Sequence, residues 1–227
     1  MWLCLSCVYR ESIGMSPIRK TRIVAFGDSI TQGLECEALE QRWPSLVEKM
    51  LQILQPDTHV EIINSGVGGN TSREGLARFG KDVSAHKPDL VLIEFGGNDA
   101  TPAIARFVPV AEYRQNLETM ISDISEWGGR SIILPFPPII DVWHTCWSAD
   151  KFLDAGGTDR YVESYRDCSR RIAAEKKLKL ADIDLALREA IKADGVASQI
   201  RQDGVHLTWS GNITAALCVC KTIAGII

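Results

Sequence analysis

A serine and a distant histidine are the residues of this chain whose types best suit chemistry. Ser29 belongs to the tripeptide Gly27-Asp28-Ser29, which directly follows a short apolar run, and His206 lies near the C-terminus. A serine hydroxyl becomes a nucleophile when an imidazole removes its proton, and a carboxylate fixes the tautomer of that imidazole. Asp203 precedes His206 by three residues, so a single turn of chain can bring its carboxylate to the ring. This set of residues predicts acyl transfer through Ser29.

Acyl transfer also requires hydrogen-bond donors for the negative charge that develops on the carbonyl oxygen of the substrate. The candidate donors are the backbone N–H of Ser29, the backbone N–H of Gly69 and the side-chain amide of Asn98. A glycine lets the main chain approach a substrate closely, and an asparagine amide does not compete for the proton that is transferred. Gly68 stands beside Gly69 and remains an alternative donor at this point.

Short apolar runs, several of them ended by glycine or proline, predict the β-strands of this chain. Such runs suit strands that are buried on both faces of a sheet. Between them, apolar residues recur three and four positions apart, which is the period of a helix. Because strands and helices alternate, we expect one parallel sheet with helices on both faces. The predicted strands are 22–26, 60–63, 90–95 and 131–134, and the predicted helices are 43–54, 113–124, 159–177, 184–193 and 211–223.

The residues suited to chemistry follow the ends of predicted strands. Ser29 comes after the first strand, Gly69 after the second and Asn98 after the third. In an open parallel sheet, ligands bind beyond the carboxyl ends of the strands. We therefore expect these three residues to lie at one edge of the sheet, with His206 brought to them by the segment before the last helix.

Four short blocks of the chain resemble those after which the SGNH (GDSL) hydrolases are named. In chain order they are Gly27-Asp28-Ser29, Gly69, Gly96-Gly97-Asn98-Asp99 and Asp203-Gly204-Val205-His206. The resemblance spans residues 22–223, and Ile30 replaces the leucine of the Gly-Asp-Ser-Leu motif. It implies a catalytic triad and an oxyanion hole. The triad would be Ser29, Asp203 and His206, and the oxyanion donors would be Ser29, Gly69 and Asn98, with Gly69 preferred to Gly68 because it has the family's spacing from Asn64.

The same resemblance implies the fold and the reaction class. Members of this family have a flavodoxin-like parallel sheet, so we expect a single three-layer α/β/α domain with about five strands. They hydrolyse carboxylic esters without a metal ion, and we expect neither a metal nor another cofactor. Esters of short acids or acetylated carbohydrates are the first expectation for the substrate. A lysophospholipase or thioesterase of the same family is the alternative.

One long segment breaks the alternation of strands and helices. Residues 136–158 are rich in proline, tryptophan and glycine, and loops of this length tend to be lids or binding loops. We expect this loop near the site, although a packed surface excursion is an equal alternative. Residues 1–20 are predicted to be an N-terminal extension outside the core of a domain over 21–227. The candidate substrate-binding residues are Trp143, His144, Trp147 and Trp209, for which packing roles are equally open.

A nucleotide-binding α/β protein without hydrolase activity is the rival from another functional class. The sequence Gly66-x-Gly68-x-x-Thr71 is close to the dinucleotide fingerprint but lacks its third glycine. That hypothesis also leaves Ser29, Asn98 and the pair of Asp203 and His206 without a role. The hydrolase hypothesis gives each of them one and is therefore preferred.

Composition narrows the partners and the compartment. The 227 residues carry a net charge of −4, which makes nucleic acid an unsuitable partner and leaves a small ester as the expected one. No apolar run reaches the roughly 18 residues that a membrane span needs. Seven cysteines, an odd number, argue against a complete disulfide framework and favour the cytoplasm. If the apolar opening of the chain acts as a signal peptide, the protein is secreted instead.

Overall fold

Five β-strands form one parallel sheet in the part of the chain that the computed structural model describes, which is residues 19–144, 147 and 150–224. The order across the sheet is β2-β1-β3-β4-β5, and every adjacent pair is parallel. This is the flavodoxin-like order, so the predicted fold is confirmed. The strands are β1 (Arg19–Gly27), β2 (Thr58–Gly66), β3 (Leu90–Phe95), β4 (Arg130–Pro135) and β5 (Lys179–Leu180).

Helices cover both faces of this sheet and complete the three layers. The α-helices are α1 (Ser29–Gln32), α2 (Trp43–Leu54), α3 (Ser72–Asp82), α4 (Val110–Glu126), α5 (Asp150–Ala155), α6 (Thr158–Glu175), α7 (Ile183–Asp194), α8 (Val196–Gln199) and α9 (Trp209–Ile223). Helix α9 packs against α2 and α7, whereas α4 packs against α3 and α6. None of the described helices is long and apolar enough to cross a membrane.

The central strands form the core of the molecule. In β1, residues 23–26 are fully buried, and every residue of β3 is buried. Strands that are covered on both faces need apolar side chains at consecutive positions, which explains why continuous apolar runs predicted them. The exception in β3 is Glu94, a carboxylic acid in an otherwise apolar strand.

The first strand begins earlier than predicted. Arg19 and Lys20 pair with Thr58 and His59 of β2, so the sheet begins two residues before the predicted domain boundary between residues 20 and 21. The rest of the predicted extension, residues 1–18, lies outside the described residues.

Four of the described α-helices were absent from the expectation, namely α1, α3, α5 and α8. Helix α3 begins with a capping box between Thr71 and Glu74, but its glycines obscure the helical pattern. A Cβ atom at Gly75 would lie 2.6 Å from the ring of Phe95, so only glycine allows this helix to pack so closely on β3. Helix α5 lies inside the segment 136–158, which is therefore only partly a loop.

Candidate active site

Ser29 is presented by a tight turn between β1 and α1. Asp28 caps the helix because its Oδ1 accepts a hydrogen bond from the N–H of Ile30 at 2.9 Å. Gly27 is required at the end of the strand, since a Cβ atom there would lie 2.3 Å from Oγ1 of Thr31. Ser29 follows as the first residue of the helix and is 7% exposed. The serine is thus held by the backbone, with little freedom to move.

His206 and Asp203 lie on a turn that directly precedes α9. The Oδ1 atom of Asp203 accepts the N–H groups of Val205 and His206, both at 2.9 Å. Partial burial opposes ionisation of Asp203, but these hydrogen bonds and the neighbouring imidazole hold its pKa below the usual value. At Gly204, which has φ +78°, a Cβ atom would lie 2.7 Å from the backbone nitrogen of His144. The turn therefore fixes an ionised carboxylate beside the imidazole.

The structure brings the three predicted catalytic residues into one hydrogen-bonded chain. Nδ1 of His206 lies 2.7 Å from Oδ2 of Asp203, and Nε2 of His206 lies 3.0 Å from Oγ of Ser29. Ser29 and His206 are 177 positions apart in the sequence. An imidazole held in this way can accept the serine proton at Nε2 while the carboxylate stabilises the resulting charge.

The other two predicted oxyanion donors, Gly69 and Asn98, line the cavity beside Ser29. Gly69 has φ +76°, a conformation that favours glycine, and its carbonyl accepts a hydrogen bond from Arg106. The neighbouring N–H of Gly68 donates to Oε1 of Gln32 at 2.8 Å and is already engaged. Asn98 lies on a 3₁₀-helix directly after β3, and its Nδ2 donates to Oδ2 of Asp28 at 2.9 Å. The geometry therefore favours Gly69 over Gly68 as the second backbone donor.

The cavity at this edge of the sheet has a volume of about 230 Å³ and a mainly apolar lining. Its walls come from the segments that follow β3 and β4 and from the turn before α9. Several of the residues that line the cavity were not predicted, because the type of an aliphatic residue in a loop does not by itself indicate a functional role. The lining residues outside the predicted set are Leu34, Gly97, Phe136, Ile139 and Val205.

Of the four predicted substrate-binding residues, the structure brings two to the cavity. His144 and Trp147 line it, and their rings meet edge to face with centroids 5.2 Å apart. Nδ1 of His144 lies 3.4 Å from the carbonyl oxygen of Asp203. Burial lowers the pKa of His144, so its ring is neutral at physiological pH.

The other two predicted residues, Trp143 and Trp209, do not line the cavity. Trp143 lies in a turn whose backbone N–H bonds to the carbonyl of Ile140. Trp209 is the first residue of α9 and is 49% exposed. Their assignment to the substrate-binding set therefore stays a prediction that this cavity does not support.

Three acidic side chains, Asp28, Glu94 and Asp99, are completely buried beneath the site. Burial raises the pKa of Asp28 to about 6 and that of Asp99 to about 7. Burial and the charge of Asp28 raise the pKa of Glu94 well above its usual value. Asp99 accepts the N–H of Ser72, the first residue of α3, and so connects the Asn98 loop to that helix. Sequence reasoning passed over Glu94, although an acid in an apolar strand was a visible signal.

Comparisons with known proteins give the family to which the chain is similar. The family model described as the GDSL-like Lipase/Acylhydrolase family matches residues 25–212. The chain is 29% identical to Esterase TesA of Pseudomonas aeruginosa over 184 residues, covering 81% of this chain and 78% of that protein. It is 25% identical to an acetylxylan esterase of Geobacillus stearothermophilus over 220 residues, covering 89% and 93%. The crystal structure of a lipase/acylhydrolase from Enterococcus faecalis superposes with a TM-score of 0.75 at 28% identity, covering 91% of this chain and 96% of that one.

Proposed function

The chain belongs to the GDSL-like lipase/acylhydrolase family, and we propose that Ser29 is the nucleophile with which it cleaves esters. Its family and its esterase relatives make it a carboxylic ester hydrolase. The observation that carries the proposal is the hydrogen-bonded chain from Asp203 through His206 to Ser29, with steps of 2.7 and 3.0 Å. This chain opens onto a cavity that two candidate oxyanion donors also line.

The reaction proceeds in two acyl-transfer steps. Oγ of Ser29 attacks the ester carbonyl while Nε2 of His206 takes its proton. The resulting oxyanion accepts hydrogen bonds from the N–H groups of Ser29 and Gly69 and from the amide of Asn98. His206 then gives its proton to the departing alcohol and leaves an acyl-serine. Water, deprotonated by His206, hydrolyses this acyl-enzyme and restores the free hydroxyl.

The substrate class that best suits the cavity is an ester of a short acid. About 230 Å³ lined mainly by apolar groups is below the roughly 300–1,000 Å³ of sites for drug-sized ligands. A short acyl chain fits against Phe136 and Ile139, and the alcohol part of the ester then faces the open side of the cavity. An acetylated carbohydrate is the favoured natural ester, in keeping with the relative named as an acetylxylan esterase.

Single substitutions test the proposed nucleophile and base. Ser29→Ala and His206→Ala should each lower kcat by about 10⁴- to 10⁶-fold, as in comparable triads. The measurement is steady-state hydrolysis of nitrophenyl acetate, with circular dichroism to verify folding. Ser122→Ala on α4 and His59→Ala on β2 are matched controls, since both positions are exposed, and they should leave kcat unchanged. A folded Ser29→Ala variant with near-normal kcat would refute the proposal.

A series of nitrophenyl esters tests the acyl preference. We expect kcat/KM to be highest for acetate or butyrate and to fall as the chain outgrows the cavity. A maximum at octanoate or longer would instead support the lysophospholipase or thioesterase alternative. One relative carries such a name, Thioesterase 1/protease 1/lysophospholipase L1 of Escherichia coli, at 28% identity over 49% of this chain.

A further inference from the structure

Glu94 has an unusual place directly beneath the turn that presents Ser29. It pairs with Gly27 in the sheet and is 0% exposed. Its Oε2 accepts a hydrogen bond from Oγ1 of Thr31 at 2.9 Å and lies 3.5 Å from the backbone nitrogen of Asp28. Its Oε1 is buried and has no hydrogen-bond partner among the described residues. A buried carboxyl oxygen without a partner is costly unless it carries a proton and donates it.

Asp28 lies between Glu94 and the catalytic groups. Its Oδ1 accepts the N–H of Ile30, and its Oδ2 accepts Nδ2 of Asn98, both at 2.9 Å. Asp28 therefore ties the first turn of α1 to the proposed oxyanion donor. Because both of its oxygens accept N–H groups, Asp28 is the member of the pair that gains from being ionised.

The carboxyl groups of Asp28 and Glu94 are both fully buried, and each shifts the pKa of the other. Two neighbouring buried carboxylates cannot both be ionised at low cost, so one of them keeps a proton. The acceptor role of Asp28 and the unpartnered Oε1 of Glu94 both assign that proton to Glu94.

We propose that Glu94 is a positioning residue whose protonated carboxyl donates to Asp28, and that Asp28 in turn holds the Asn98 amide toward the cavity. Glu94 does not touch the substrate, and it acts through Asp28. This inference rests on the proposed function, because the orientation of Asn98 matters only if an oxyanion forms beside Ser29.

Among the described residues, the surroundings of the pair provide no unpaired cation to replace the proton. Arg78 is the nearby arginine on α3, but its guanidinium donates to the carbonyls of Gly27 and Ser65 and to Asn70 and Asp82. The other titratable groups that act on the pair are Asp99, Tyr113 and His206. Of these three, His206 is the one whose side chain can carry a positive charge, and its ring is already engaged by Asp203 and Ser29.

Two substitutions at the same position separate the donor role from a packing role. Glu94→Gln keeps a neutral N–H donor of nearly the same shape, so kcat for nitrophenyl acetate should stay near the wild-type value. Glu94→Leu fills the space but removes the donor and leaves Asp28 without its partner. We expect kcat to fall on the order of 10- to 100-fold, less than for outright loss of an oxyanion donor, with KM little changed. Equal kcat values for folded Gln and Leu variants would overturn the proposal.

A double-mutant cycle shows whether Glu94 acts through Asn98. Asn98→Ala should lower kcat by about 100- to 1,000-fold on its own. In that background, Glu94→Leu should cost much less than in the wild-type protein, because the group that it positions is already absent. Losses that multiply independently would contradict the proposed route.

Infrared difference spectroscopy observes the proton directly and does not depend on turnover. At mildly alkaline pH, the wild-type protein should show the C=O stretch of a protonated carboxyl group that Glu94→Gln lacks. Absence of that band overturns the proposal even if the Leu variant fails to fold.

Ser29→Ala in the same assays distinguishes failure of this inference from failure of the proposed function. If it abolishes hydrolysis while the Glu94 variants behave as wild type, the proposed function stands and only this inference fails.

Discussion

The described residues include two clusters of acidic side chains, and one of the two also contains arginines. The unpaired cluster consists of Asp28, Glu94 and Asp99, which lie beneath Ser29 and Asn98. The paired cluster joins α6 and α7 around Arg166, which is 1% exposed. Its other members are Asp159, Glu163, Arg170, Asp182, Asp184 and Arg188.

The two clusters differ in the ionisation of their acids. In the paired cluster, burial opposes ionisation, but Arg166 and its neighbours hold the pKa values of Asp159 and Glu163 below the usual range. Asp184 is the exception, because its burial raises its pKa despite the arginines. In the unpaired cluster, burial raises all three pKa values. Acids with shifted pKa values and no paired cation are typical of functional sites.

The paired cluster has a structural task near the cavity. Arg166 donates to the backbone carbonyls of Phe136 and Pro137 at 2.8 Å, and Asp159 accepts the N–H of Ile139 at 2.8 Å. These contacts fix the segment after β4, whose side chains form one wall of the cavity. Ion pairs therefore build the wall, whereas buried acids without an arginine partner support the reacting groups.

Removing the central arginine should have the largest effect on stability. Arg166→Met leaves Asp159 and Asp184 as buried charges without this partner, and we expect a loss of about 3–5 kcal/mol in the free energy of unfolding. Urea denaturation followed by circular dichroism measures it. Arg171→Met on the exposed face of the same helix is the matched control and should change stability by no more than about 0.5 kcal/mol. Equal losses for both variants would mean that the paired cluster does not stabilise the fold.

Removing an acid should separate the two clusters by their effect on turnover. Asp28→Ala releases the Asn98 amide and the cap of α1, so kcat should fall on the order of 100-fold or more. Asp182→Ala in the paired cluster should lower stability, since Asp182 caps α7 and bonds Arg170, but leave kcat of the folded enzyme unchanged. Steady-state kinetics of both variants measures this difference in kcat. A comparable fall in kcat for Asp182→Ala would remove the functional distinction.

The pH dependence of stability should have opposite signs for Asp99 of the unpaired cluster and Asp159 of the paired cluster. Asp99 has a pKa of about 7 when folded and an ordinary value of 3.8, so its contribution is present at low pH and is lost as pH rises toward 7. The stability of wild type relative to Asp99→Asn should therefore fall between these values, by at most about 1.4 kcal/mol per pH unit. Asp159 has a lowered pKa, so wild type relative to Asp159→Asn should lose stability as pH falls. The Asp159 contribution is lost below its ordinary pKa of 3.8, so denaturation curves from pH 7 to below pH 3.8 test both signs. Slopes of the same sign would contradict the comparison.

The sequence predicted the parts of the molecule whose signals are local. Strands β1 and β3 are continuous apolar runs because both faces of the sheet are covered. The contact between Asp203 and His206 could be predicted because a single turn joins the two residues. Strand β5 has only two residues, too few to produce a period. Helix α3 was not predicted because Gly75 interrupts its helical pattern. Glycine is needed at this position because the ring of Phe95 lies against it.

What the sequence could not predict depends on contacts between distant segments. Phe136 and Ile139 line the cavity because Arg166 and Asp159, some twenty to thirty positions later, hold their backbone. Trp209 has the residue type of a pocket wall, yet the start of α9 leaves it half exposed. Glu94 is different, since a buried acid in an apolar strand could have been noticed, although its partner Asp28 could not.

Covalent labelling tests most directly whether Ser29 is the activated nucleophile. The enzyme would be incubated with a fluorophosphonate, digested, and mapped by mass spectrometry, with His206→Ala treated in parallel. Our account predicts a single phosphonylated residue, Ser29, and strongly slowed labelling in the histidine variant. Labelling of a different residue, or equally fast labelling of Ser29 without His206, would contradict it.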